Sequence, residues 1–354
     1  MNHFQTQAAG LPSGSFGARR GASSFARPWH RLLAAPQRLA LAAGGVLLVA
    51  TALWWALVQV APALGLPLPW VLDPALAQAW LLGVAVWPLF LVGLLCDTLP
   101  RWLGSQPLAA RLLVLPLTLV AAGAAAAGVG VHLSGPVAAL GLAVLAVGLA
   151  LLAGLFGLTV LDHRRADDSA RALPAVLGLG VLALGTWAGA VALALGQGLW
   201  LQVALQVALW LGLVPLAVTL ARPEGAGMAS SITRLGALQR LAWVWLGTAA
   251  GLSLLRPELP VWPALLMGCL GSLVMLRATE VALQQAGRRP RIDNAVWFSA
   301  WAAQLAVLGA LLAPLQAGGG GALGLLAAQF WLAAVVLWAW HLQPSLLRLP
   351  ASSR

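Results

Sequence analysis

The residues able to do chemistry in this chain are few and far apart. Five histidines occur, His3, His30, His132, His163 and His341. No two stand at i, i+3 or i, i+4, the spacing by which one helix face offers paired imidazoles to a metal. Cys96 and Cys269 both lie inside apolar runs, so a disulfide framework is not indicated. No phosphate-cradling glycine loop with its Lys, no CxxC and no Ser/His/Asp constellation is present. The residues therefore assign no enzymatic reaction.

What remains is a set of polar groups inside apolar runs. Asp97 and Arg101 stand at i, i+4, and Arg277 and Glu280 at i, i+3. Both spacings allow an ion pair on one helix face. Ionisable groups at membrane depth are functional candidates by default. Long side chains near a boundary can also reach water, which gives a structural alternative. Gln78, Gln202, Gln206, Gln304 and Gln329 are amides in similar settings. Such amides commonly join helices, for about 1 kcal/mol each.

The elements that must position these groups follow from composition. Of 354 residues, 61% are hydrophobic and 8% charged, against about 25% charged in a soluble globular protein. Apolar runs of at least membrane-crossing length recur from Leu39 to the C-terminus. Helices are the only way to span lipid with such runs, because hydrocarbon satisfies no open backbone. The expected fold is all-α: a polytopic integral membrane helix bundle of about ten transmembrane helices. They are expected near 39–61, 75–99, 107–129, 136–161, 172–195, 198–221, 241–255, 261–283, 295–315 and 322–342.

Every basic residue is Arg, and the formal charge is +11. The arginines do not form one continuous face, as nucleic-acid binding would need. They follow the membrane topology instead. With ten spans, Arg256 is the one arginine on one side, and all the others fall on the opposite side. By the positive-inside rule both termini are expected in the cytoplasm. The lipid bilayer is then the expected partner, with other membrane proteins possible and nucleic acid excluded. Residues 1–36 read as a disordered basic tail, 37–346 as the transmembrane bundle and 347–354 as a short cytoplasmic tail. Arg19 and Arg20 resemble a twin-arginine signal, but the apolar run begins too far downstream.

Trp70, Trp200 and Trp262 fall at one set of span ends and Trp102, Trp297 and Trp340 at the other, as an interfacial belt would. Pro88, Pro116 and Pro215 fall within spans and should kink them. Gly185 and Gly189 form a GxxxG step that permits close helix approach.

Within this frame several stretches carry a resemblance. They are "WPLFLVGLL" followed by "PRWLG", the run "LLAAPQRLALAAGGVLLVATALWWAL", "LVPLAVTLARPEGAGMASS", and "PALLMGCLGSLVM" continuing into "AGRRPRIDN". In this order they resemble the NnrS family, from about Leu32 to Leu312. These are polytopic bacterial membrane proteins linked to nitric oxide response and denitrification, described as containing haem and copper. The matching framework is Pro36, Arg38, Asp97, Pro100, Arg101, Trp102, Met267, Gly268, Gly271, Ser272, Gly287, Arg288, Asp293 and Asn294.

The histidines that the resemblance would nominate are replaced. Gln37, Gln78, Trp80, Arg222, Pro263 and Gln285 stand at those positions. Gln is a weak ligand beside imidazole, and Trp and Pro do not coordinate. The family also usually has twelve spans. Haem and copper therefore do not carry over residue by residue. The resemblance implies an NnrS-like protein of the bacterial inner membrane, associated with nitric oxide or nitrosative stress and lacking the metal site. The alternatives are a metal-binding member using His132 or His341, which fall on opposite sides of the membrane, and a small-solute transporter or channel lined by Gln faces. No inverted repeat favours the last.

Overall fold

Asp73 shows how a span starts in this chain. Its carboxylate Oδ1 accepts the N–H groups of Ala75 and Leu76 at 2.9 and 3.0 Å, and Pro74 takes the first helical position, where no N–H is needed. The helix that follows ends at Gly104, whose φ of 61° suits a residue without a Cβ. Between these punctuation marks the backbone closes on itself, as lipid requires.

The computed structural model describes residues 32–66, 68–163, 166–221, 234–255, 261–285, 292–316 and 321–347. Most of the expected N-terminal tail, the C-terminal tail from 348 on, Arg222 and Arg288 lie outside the described residues. So does the side chain of Gln285.

Among the described residues the secondary structure is helical, without strands. Ten long helices follow the chain. They are α1 Pro36–Leu64, α2 Pro74–Leu103, α3 Ala110–Leu133, α4 Gly135–Asp162, α5 Ala166–Ala194, α6 Gly198–Ala221, α7 Arg234–Leu255, α8 Pro263–Gln284, α9 Asn294–Leu315 and α10 Gly321–Leu347. Nine are long and apolar enough to cross a membrane; α7, with Gln239 and Arg240 near its start, falls outside that group. At 22 residues it is still about 33 Å long, enough to span. The chain is a multi-pass membrane bundle.

Two helices form its centre. All of the most apolar stretch of α2 is buried within the protein, as is 94% of that of α8. The two touch, and the other eight pack around them. α1, α3, α5 and α6 lie against α2, and α7, α9 and α10 against α8. α4 sits between α3 and α5, and α10 closes back on α1.

Three of these helices widen to π geometry, at Leu81–Val86 in α2, Ala208–Leu213 in α6 and Pro263–Leu270 in α8. The expected proline kinks divide accordingly. Pro88 and Pro215 each stand two residues past the end of a π segment, and the wide turn absorbs the bond that proline cannot donate. Pro116 sits within the uninterrupted α3.

Small residues set the closest approaches. A Cβ on Gly123 would lie 2.5 Å from the Leu145 nitrogen, and one on Gly148 only 2.8 Å from the Pro116 carbonyl. Gly130 and Gly141 are equally closed, against Ala138 and Ala127. Gly123 and Gly130 on α3, and Gly141 and Gly148 on α4, are each seven apart, the repeat of a left-handed crossing. The α5–α6 seam repeats the pattern. Gly178 faces the Gly212 carbonyl (2.6 Å from a Cβ) and Gly185 faces Ala208 (2.7 Å). The GxxxG step read from the sequence is thus split, because Gly189 turns to α2 instead.

Candidate functional site

At the ends where α2, α8 and α10 begin and α1 and α9 finish, the helices leave a cavity of about 330 Å³. This is at the small end of ligand pockets. Its polar lining is Gln59 of α1 and Gln78 of α2. Trp55, Leu82, Trp262, Leu266 and Met267 are the large apolar side chains of its wall, and Pro263 also lines it. Gly324 on α10 leaves room for the Gln59 amide, whose Oε1 would lie 3.2 Å from a Cβ there. Among the described residues no charged side chain lines the cavity. It suits a small uncharged molecule that exchanges hydrogen bonds with amides.

Two of the positions singled out by resemblance meet here, Gln78 and Pro263. Trp80 does not join them. Two residues along a helix turn about 200°, and the Trp80 indole is buried against α5, where a Cβ on Gly189 would collide with it. Gln37 lies at the opposite end of the bundle, where its carbonyl backs onto Gly93 of α2. Gln59 was not among the residues singled out; an amide late in an otherwise apolar span is the signal that marks it.

That opposite end carries the ion pairs. Asp97 and Arg101 are bonded at 2.7 Å on α2, and Arg277 and Glu280 at 2.9 Å on α8. With Thr98, Trp102 and Gln284 they line a pocket of about 110 Å³ between the two central helices. Arg277 has a second task. Its Nη2 donates to the carbonyl of Ala221 at 2.6 Å, and Gln239 of α7 donates to the same oxygen at 3.2 Å. The last turn of α6 is thereby fastened to α7 and α8, a positioning role for the α8 pair. Arg38 is buried at the start of α1.

Both candidate histidines are engaged. His132, at the end of α3, lies 3.0 Å from the Pro69 carbonyl through Nδ1 and accepts the Trp54 indole N–H through Nε2 at 2.9 Å. Pro69 can only accept and Trp54 can only donate, so Nδ1 is the donor and Nε2 the acceptor. A metal on Nε2 would displace the Trp54 bond. His341 of α10 pairs with Asp293, whose other oxygen caps α9 by accepting the Val296 N–H at 3.0 Å. Asn294 opens that helix.

Haem or copper can be tested against these donors. Around the amide cavity the one soft ligand is the Met267 thioether, beside Gln, Trp and Pro. Among the described residues no three His, Cys, Asp or Glu side chains gather as a metal site. The residues present do not fit either group.

The "MGCLGS" stretch of α8 has a clear physical content. Met267 faces the cavity. Gly268 seats the Trp245 indole of α7, with a Cβ only 2.6 Å from its Cγ. Gly271 lies beneath Trp331 of α10, 3.3 Å from its Cη2. Ser272 accepts the Gln304 amide of α9 at 3.0 Å, and Gln304 Oε1 accepts the Trp245 N–H. One turn and a half of α8 thus docks three helices.

Compared with known proteins, residues 228–349 match the model of the NnrS protein family, about a third of the chain. No curated protein and no solved structure matches the chain.

Proposed function

We propose that this chain, whose residues 228–349 carry the match to the NnrS family, is an NnrS-like protein of the bacterial inner membrane. It serves the response to nitric oxide stress or denitrification without the family's haem and copper. Both termini lie in the cytoplasm, on the arginine-rich side. The amide cavity between α1, α2, α8, α9 and α10 is its ligand site, and the ligand is small and uncharged.

The observation that carries this reading is the cavity itself. It takes in two of the positions where the resemblance would put metal-binding histidines, and Gln78 and Pro263 are there instead. The pocket remains while its strong ligands are gone, which supports a binding or regulatory role over metal redox chemistry.

The test is in two parts. The purified protein, in mild detergent, is expected to be colourless, with iron and copper well below one per chain; a Soret band with stoichiometric iron overturns the metal-free reading. A deletion strain is expected to grow more slowly than its parent under a nitric oxide donor. Indistinguishable growth, with expression unresponsive to nitric oxide, overturns the assignment to that response.

A further inference from the structure

The hydroxyls on the outer faces of the spans satisfy themselves. Thr118, Thr159, Thr248 and Ser253 each donate to the carbonyl four residues back. The amides on α6 do not. Gln202 and Gln206 are both exposed on the outside of the bundle and have no partner among the described residues. They lie four and eight residues into α6, about 6 and 12 Å from its end, within the membrane-spanning run. A primary amide facing lipid without a partner costs several kcal/mol.

We infer that Gln202 and Gln206 are the centre of a homodimer interface, in which α6 of one copy packs on α6 of a second. Two features select a second copy as the occupant. An amide is both donor and acceptor, so each Gln complements its own equivalent across a two-fold axis. All copies insert in one orientation, so that axis runs along the membrane normal and brings residues of equal depth together. The surrounding surface fits. Leu199, Gln202, Val203 and Gln206, all exposed, are spaced by three and four, as on the packing face of a helix pair. Beside them the α5 and α6 surfaces enclose a hollow of about 720 Å³, floored by Gly185, Ala188 and Ala204, that receives side chains from the other copy. Gln329 of α10 is exposed too, but stands alone.

The full chain reconstituted at low density in liposomes, with photobleaching steps counted per particle, tests this. Wild type is expected to show two-step particles. Gln202→Leu/Gln206→Leu, which adds only lipid-compatible surface, is expected to weaken the dimer at least about tenfold. Oxidation of Gln206→Cys is expected to cross-link two copies, since Cys96 and Cys269 are buried. A monomeric wild type, meaning that lipid covers the face, overturns the inference. So does a double variant that dimerises as wild type, or cross-linking through Gln329→Cys in place of Gln206→Cys.

Discussion

The indole of Trp80 on α2 occupies the space that Gly189 on α5 leaves open. Neither residue is adjustable alone. The ring is 2% exposed, and any Cβ at 189 falls on its six-membered edge. Gly189→Ala should therefore cost about 1–3 kcal/mol through overpacking. Trp80→Leu made in the Gly189→Ala background should recover part of that loss. Unfolding in mixed micelles measures all four corners of the cycle, and additive costs would mean that the two sites do not touch as described.

Gln78 and Trp80 face different neighbours, so converting both to His does not assemble one site. Gln78→His with Pro263→His does, because both positions line the same cavity. That pair is expected to take up copper or haem, visible by absorption, while Gln78→His with Trp80→His binds no more than Gln78→His alone. Equal uptake by both pairs would contradict the separation of 78 from 80.

Arg277 and Glu280 are 13% and 9% exposed, and Arg277 also holds the end of α6. Removing either partner strands the other, at about 2 kcal/mol or more. Arg277→Met/Glu280→Leu should cost less than the two single changes added together, by about 1 kcal/mol or more. Simple additivity in thermal or denaturant unfolding would show that the pair is not coupled.

Gln304 joins three helices through Trp245, Ser272 and its own turn. Gln304→Leu leaves the Trp245 N–H and the Ser272 hydroxyl without this partner in a dry setting, at about 1–3 kcal/mol. Adding Trp245→Phe removes one of the stranded groups and should return some stability. If Gln304→Leu unfolds as wild type does, the network contributes nothing.

The spans were legible because lipid imposes one backbone solution and the length of a run measures it. Ten runs were read, and ten long helices form among the described residues. Their ranking from centre to edge was not legible. α2, whose most apolar stretch is wholly enclosed, has a mean hydropathy of 2.2, the same as α3 on the outside. Protein interior and hydrocarbon are equally apolar, so hydropathy carries no inside-out contrast here. The close seams were partly legible. Gly178 and Gly185, like Gly123 and Gly130, stand seven apart, a spacing that the GxxxG pattern, which picks out Gly185 and Gly189, passes over.

Polar groups divided by direction, which depth alone does not reveal. Gln304 joins helices, Gln78 faces a cavity, and Gln202 and Gln206 look outward. For His132 the deciding partner, Trp54, lies 78 residues away, beyond any local pattern. The "MGCLGS" stretch was visible as a resemblance; its content, three helices seated on one, needed the neighbours.

The enclosure of the apolar stretch of α2 bears on how the protein is made. While α2 enters the membrane during synthesis, α1 is its only completed neighbour, and α3, α5, α6 and α8, which pack against it in the finished bundle, do not yet exist. A stretch enclosed by protein in the mature bundle must still be accepted by the insertion machinery as if it faced lipid, and its apolarity is read at that moment. A polar substitution in α2 that the finished structure could accommodate beside a partner would meet its barrier earlier, at insertion. Defects in this helix should accordingly appear as loss of protein during biogenesis, with any molecules that do assemble close to normal in stability.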